Sequence, residues 1–331
     1  MSTIQKENKR TKNKKHLALK VISIILCIVI VMTGIISVCL YNFAFNVSSP
    51  IHMTKVIPNN MVIDENLTYS GEVGTVNVEN WFKENRQDVY MTTDDNLKLH
   101  AYYCESIEES NKYVIACHGY TSKAADMGVY AMHFADKGFS VLMPDARAHG
   151  ESDGKIIGMG WPERFDLLKW INMIIENDPQ AQIILYGISM GAATVMMTSG
   201  ESMPENVIAV IEDCGYSSVF DELKWQANSM GHVPDFPLVY TVSLLNEMKS
   251  GFSLKEASAV EQVKKSTTPT LFIHGSEDWL VPFDMLDKVY EAANCEKEKL
   301  VVEGAGHAAS SSTDPELYWS TIFDFISAYT K

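Results

Sequence analysis

ILYGISMGAAT, residues 184–194, opens as a short apolar run and closes as a series of small residues, with one serine between two glycines at the join. Four consecutive apolar residues, counting Ile183 just before the stretch, and a glycine after them read as a buried strand, and the small residues after Met190 read as a tightly packed helix. A serine hydroxyl is a poor nucleophile unless it is held clear of its own backbone and beside a base. A sharp strand-to-helix turn at Gly187-Ile188-Ser189-Met190-Gly191 supplies that exposure, because a tight elbow leaves no room for β-carbons next to the serine. Ala192 and Ala193 then let the helix approach the strand closely.

Outward from this elbow, strands and helices alternate. The pattern predicts strands at Asp88–Thr92, Leu97–Tyr103, Tyr113–Cys117, Ser140–Pro144, Ile183–Tyr186, Val207–Ile211, Thr270–Ile273 and Leu300–Val302. Met127, Tyr130, Ala131 and Phe134 fall on one helical face with Gly138 as a stop. Pro162 opens a second helix, striped by Leu167, Leu168, Ile171, Ile174 and Ile175, and Asp314-Pro315 caps a last one. Such alternation implies an α/β domain over residues 86–331 whose mostly parallel eight-stranded sheet carries helices on both faces, with the first two strands forming an antiparallel edge hairpin. One interval breaks the rhythm. Between Gly215 and Thr267 no strand is expected, and Trp225, Met230, Phe236, Leu238, Tyr240, Leu244, Leu245, Met248 and Phe252 suggest a small helical lid over the strand ends.

Three further segments place chemistry-bearing residues where predicted strands end: His118-Gly119-Tyr120-Thr121, His274-Gly275-Ser276-Glu277-Asp278 and Glu303-Gly304-Ala305-Gly306-His307. In a parallel sheet those ends converge on one edge, where open α/β folds bind ligands. Serine, carboxylate and histidine therefore meet in the chain order Ser, Asp, His.

With these motifs, the chain resembles a serine hydrolase of the α/β-hydrolase superfamily, similar to membrane-anchored bacterial hydrolases of the serine aminopeptidase-like and monoglyceride-lipase-like branch. The resemblance covers roughly residues 85–330 and rests on the elbow, on HGY at 118–120, on DARAHGESDG at 145–154, on HGSEDWLVP at 274–282 and on GAGH at 304–307. It implies Ser189 as nucleophile, His307 as general base and then acid, and Asp278 as the carboxylate that orients the imidazole. Backbone N–H groups of Tyr120 and Met190 would form the oxyanion hole. Asp213, after the sixth strand, is the rival acid. His118, His149 and His274 are expected to brace loops, Glu277 to face elsewhere, and Ser152 and Ser276 to be ordinary loop residues. Arg147 pairs with a carboxylate or touches substrate.

Composition narrows the partners. The formal charge of −15 conceals a basic tail, since residues 1–20 hold seven Lys/Arg against Glu7 alone and leave 20 Lys/Arg against 41 Asp/Glu elsewhere. A body at −21 repels phosphate backbones, so nucleic acid is not an expected partner. Val21 to Tyr41 is uncharged throughout and, at 1.5 Å per residue, reaches the ~30 Å of a bilayer core. Residues 1–20 then form a cytoplasmic tail by the positive-inside rule, 21–45 a single-pass transmembrane anchor, and 46–85 a stalk or lead-in to an extracytoplasmic domain. The six cysteines show no metal or redox spacing. No G-x-x-x-x-G-K loop and no H-E-x-x-H occurs, so neither cofactor nor metal is expected. The expected substrate is a small or lipid-like carboxylic ester with a neutral or apolar acyl group, cleaved through an acyl-enzyme. A peptidase or aminopeptidase-like amidase, and a catalytically silent binding module of the same fold, are the alternatives.

Overall fold

The computed structural model describes residues 3–56, 67–71, 74–106, 110–229 and 233–330. A short antiparallel hairpin, β1 (Thr68–Gly71) and β2 (Gly74–Asn77), precedes the main sheet. The sheet consists of β3 (Arg86–Thr92), β4 (Lys98–Cys104), β5 (Lys112–Cys117), β6 (Ser140–Pro144), β7 (Gln182–Ile188), β8 (Val207–Asp213), β9 (Thr270–Gly275) and β10 (Lys297–Val302). Its order is β10-β9-β8-β7-β5-β6-β4-β3. All neighbours run parallel except β4 against β6 and β3 against β4. All eight expected strands are present; most extend one to three residues further because backbone pairing continues past the apolar core of each run.

Period-two alternation explains how both faces of this sheet are covered. In β7, Ile184, Tyr186 and Ile188 join one core with Val114, Ala116, Leu271 and Ile273 and with the helices Gly128–Asp136 and Pro315–Ser327. The intervening Ile183 and Leu185 point the other way, into a core with Ile115 and Leu142 and with Leu167, Trp170 and Ile171 of the helix Glu163–Asn177. Trp170, Tyr186 and Phe134 are almost fully buried, and each such side chain contributes about 1.5–3 kcal/mol relative to exposure. The last helix is capped as its sequence demands, with Asp314 accepting the Leu317 N–H at 3.0 Å.

Among the described residues, the interval after β8 holds three helices, Val219–Ser229, Asp235–Ser250 and Ala259–Val263. Met230, read with the lid, lies outside the described residues, as does the middle of the lead-in.

At the N-terminus a single helix runs from Thr3 to Ala44. Its stretch Asn13–Ala44 is long and apolar enough to cross a membrane by length and composition. The interval 46–85, read as a stalk, departs from that reading over its described parts. Backbone hydrogen bonds from Val47 N–H to Lys155 O (3.0 Å) and from Ile157 N–H to Phe45 O (2.9 Å) hold the chain against the body as soon as the helix ends. Further on, the helix Val78–Asn85 buries Val78 and Phe82, the latter edge-on to Tyr102 at 5.4 Å. Over the described parts, apolar side chains such as Val78 and Phe82 pack this lead-in onto the body.

Candidate active site

The elbow is built from close approaches. Ser189 follows β7 at φ 56°, ψ −115°, and the helix Met190–Ser199 starts at the next residue. A non-glycine residue there costs on the order of 1–3 kcal/mol, held in place by the surroundings. Ser189 N–H donates to Asp213 O at 2.8 Å, and Ser189 O accepts from Ala193 N–H at 2.9 Å. A β-carbon on Gly187 would lie 2.3 Å from Gly191 O, and one on Gly191 would lie 2.1 Å from Cys117 O. Only glycine fits at either place, so the turn stays tight and Ser189 stays partly accessible.

His307 meets that hydroxyl. Its Nε2 lies 2.9 Å from Ser189 Oγ, and its Nδ1 lies 2.7 Å from Asp278 Oδ2. Residues 189, 278 and 307 are thus joined in one hydrogen-bonded row, with Ser189 on the elbow, Asp278 after β9 and His307 after β10. The other oxygen of Asp278 accepts N–H groups of Leu280 and Val281, both at 2.9 Å. Burial raises the Asp278 carboxyl, but hydrogen bonds from His274 and His307 and from the Val281 backbone outweigh it and hold the group well below the usual carboxylate range. Asp278 is therefore an anion facing an imidazole, which fixes His307 with Nδ1–H toward the carboxylate and Nε2 free to accept from serine.

The competing residues have other partners. Asp213 accepts from Tyr318 O–H at 2.9 Å and Ser310 O–H at 3.2 Å, and burial pushes its carboxyl up to about 6. It supports the elbow from below and has no hydrogen bond to His307. Glu277 points to solvent beside the buried Asp278. Ser152 O–H donates to Asp145 O at 2.7 Å, and Ser276 Oγ accepts from Gly304 N–H at 2.8 Å, as loop residues do. Arg147 is clamped between Asp166 and Asp95.

Two of the three loop histidines hold the strand-end loop after β5. His118 Nδ1–H donates to Gly119 O at 2.7 Å while Nε2 accepts from Ala146 N–H at 3.0 Å. His149 Nδ1–H donates to Arg147 O at 2.9 Å and Nε2 accepts from Thr121 N–H at 3.2 Å. Burial lowers both imidazoles, that of His149 to about 3, so each is a neutral brace. The braced loop lies against the elbow: a β-carbon on Gly119 would sit 3.4 Å from Ser189 Cβ. Tyr120 follows in that loop, and Met190, first in its helix, has an N–H without an intrahelical acceptor.

His274 braces its loop as expected and also reaches the carboxylate. Its Nε2 is 3.0 Å from Val281 O and 3.3 Å from Asp278 Oδ2. Burial alone would lower this imidazole, but its hydrogen bond to Asp278 raises it overall. Its position four residues before Asp278 was the available signal. The side chain of Tyr120, expected only for its backbone N–H, has a contact of its own: its hydroxyl donates to Ala44 O at 2.6 Å, across 76 residues of sequence.

As to metals, Cys214 offers a sulfur within 4.8 Å of ligand atoms of Asp278 and His307. Burial drives that thiol well above its ordinary value, so it stays protonated, while the other two are already hydrogen-bonded to one another. The set fits a proton relay better than a metal.

The family model described as serine aminopeptidase, S33 matches residues 108–212, which include the elbow. YqkD, an uncharacterised protein of Bacillus subtilis, is 28% identical over 214 residues, covering 64% of this chain and 70% of the relative. YfhR, an uncharacterised protein of Escherichia coli, is 25% identical over 250 residues, 72% of this chain and 80% of that one. Among solved structures, the Pyrococcus furiosus esterase Pf2001 superposes with a TM-score of 0.62 at 25% identity, over 74% of this chain and 92% of the esterase. Sheet order, elbow and these likenesses agree: the chain has the α/β-hydrolase fold and is similar to hydrolases of the serine aminopeptidase-like branch.

Proposed function

We propose that the protein is a membrane-anchored serine hydrolase that cleaves a carboxylic ester with a neutral or apolar acyl group through an acyl-enzyme. The supporting observation is the row Ser189–His307–Asp278, with hydrogen bonds of 2.9 and 2.7 Å. In this reading His307 Nε2 takes the Ser189 proton as Oγ attacks the ester carbonyl, and the Asp278 anion steadies the imidazolium that forms. Negative charge grows on the carbonyl oxygen at that moment, where N–H groups of Tyr120 and Met190 receive it; losing one such donor typically costs about 10²–10³ in rate. His307 then protonates the departing alcohol, and a water activated by the same nitrogen releases the acid.

A fluorophosphonate probe tests this directly. Intact-mass analysis is expected to find one adduct on the wild type and none on Ser189→Ala; an unlabelled, folded wild type overturns the reading. The family model's description favours amide cleavage as the second reading. p-Nitrophenyl esters of graded chain length, assayed beside aminoacyl anilides, separate the two.

The apolar helix and the basic residues before it support a cytoplasmic N-terminus and an extracytoplasmic body. Protease added to intact cells is expected to remove the body; its protection reverses the orientation.

A further inference from the structure

The insert helix Asp235–Ser250 has two unlike faces. Val239, Val242, Ser243 and Asn246 are buried against the body. Phe236, Tyr240, Leu244 and Met248 are exposed, Leu244 at 55% and Met248 at 76%. A four-residue repeat keeps Tyr240, Leu244 and Met248 on one side of the helix, and Phe236, at a kink before the regular turns, extends this apolar stripe with its ring 5.6 Å from that of Tyr240.

The neighbouring helix indicates what covers it. The long N-terminal helix packs along Asp235–Ser250: Ser37, fully buried, shares a hydrogen bond with Thr241 at 2.5 Å, and Tyr41 Oη lies 3.3 Å from Ser250 Oγ. Both Ser37 and Tyr41 belong to the uncharged run Val21 to Tyr41. If that run spans a bilayer, Thr241 lies at a level about 6 Å inside its outer end, counting 1.5 Å per residue. The contacts climb both helices in the same direction, so the Phe236 end is the deeper one. Lysines frame the stripe: Lys255 Nζ is 4.8 Å from the Tyr240 ring centre and Lys249 Nζ is 5.3 Å from that of Tyr41. Lys249 and Lys255 are long enough to reach lipid phosphates above an acyl layer. The strand-end loop is close by, since Tyr120 is tied to Ala44 at the helix's outer end.

We infer that the helix Asp235–Ser250 lies in the outer interface of the protein's own membrane, its Phe236–Met248 stripe against acyl chains, and that the ester reaches Ser189 from the lipid phase. This rests on the reading of a membrane-anchored hydrolase and names its substrate class as a bilayer-resident ester.

The test uses the full chain in phosphatidylcholine/phosphatidylglycerol vesicles, with Cys27, Cys39 and Cys295 replaced by serine. A nitroxide is attached at Leu244→Cys or, for reference, at Leu317→Cys on the exposed side of the last helix. Oxygen is expected to relax the label at 244 severalfold more strongly, relative to a water-soluble nickel complex, than the label at 317. Equal nickel access at the two positions overturns the inference. So does shielding of position 244 from both relaxants with dipolar broadening, which marks a second copy on the stripe. Independently, Leu244→Glu/Met248→Glu is expected to lower hydrolysis of a long-chain ester embedded in vesicles about tenfold while sparing soluble p-nitrophenyl butyrate. Equal effects on both esters overturn delivery from lipid. Failure of the wild type to cleave either ester defeats the hydrolase reading alone, because the nitroxide measurement needs no turnover.

Discussion

His274 Nε2 stands 3.3 Å from the same Asp278 oxygen that meets His307 Nδ1 at 2.7 Å. The carboxylate is thus held from two sides, and the imidazole that does not touch the serine sets where the other one's partner sits. Residues of this kind orient a reacting group without touching substrate. Replacing His274 with alanine is expected to lower kcat about tenfold with KM nearly unchanged, and His274→Gln, which keeps an N–H in reach, to recover part of the loss. Steady-state kinetics on a soluble ester checks this; a variant with wild-type kcat removes His274 from the positioning machinery.

The two buried acids near the elbow are expected to part in their effects. Asp278→Asn costs roughly 10³–10⁴ in kcat, because an amide in that place favours the wrong imidazole tautomer. Asp213→Asn loses only part of its bonds to Tyr318 and Ser310 and is expected to show mainly a lowered melting temperature. A crippling Asp213→Asn beside a mild Asp278→Asn reverses the assignment.

Backbone strain at Ser189 predicts an opposition between stability and activity. With φ at 56°, glycine removes most of the penalty. Ser189→Gly is expected to abolish hydrolysis while raising the melting temperature by about 2–4 °C, the size of shift that ~1 kcal/mol produces in a domain of this order. A lower melting temperature shows that the bond to His307 outweighs the strain.

Gly191 tolerates nothing larger. Its missing β-carbon would sit 2.1 Å from a backbone oxygen, which no side-chain motion relieves. Gly191→Ala is expected to destabilise the domain by about 1–3 kcal/mol or more and to remove probe labelling. Thermal unfolding and fluorophosphonate labelling measured together check the pair of effects.

Burial pushes the Glu212 carboxyl up to about 8, and its Oε1 has no hydrogen-bond partner among the described residues. The folded state therefore keeps a proton that the unfolded chain releases near pH 4.3. Between those values the native state binds more protons, so this group's contribution is complete below the unfolded value and declines as pH rises toward 8. Glu212→Gln is expected to flatten the fall in melting temperature between pH 5 and 8. Parallel curves for wild type and variant refute the shift.

Much of this was legible in the chain. The inner strands β5 to β9 announced themselves as short apolar runs, because burial on both faces leaves little room for polar residues, whereas the edge strands β3 and β10 mix polar with apolar residues. The elbow was readable because close backbone approach demands glycine at two fixed offsets from a serine. Asp278 and His307 were readable because strand ends in a parallel sheet share an edge. What stayed hidden depends on pairings that no local pattern encodes. Nothing near Tyr120 says that its hydroxyl finds Ala44, and nothing near Ser37 says that it faces Thr241. The Asn-rich, Ser-rich lead-in suggested a spacer because its composition is polar, while the few apolar side chains that fasten parts of it act only once the body offers a surface.

The bond between Tyr120 and Ala44 makes tether and body one mechanical unit. A molecule clipped after its N-terminal helix does not become a smaller, freely diffusing copy of itself. It loses the carbonyl that steadies the loop beside Ser189 and bares the seat that Tyr41 fills. Loss of the N-terminal helix is therefore expected to weaken the hydrolysis proposed for this protein as well as to free the body.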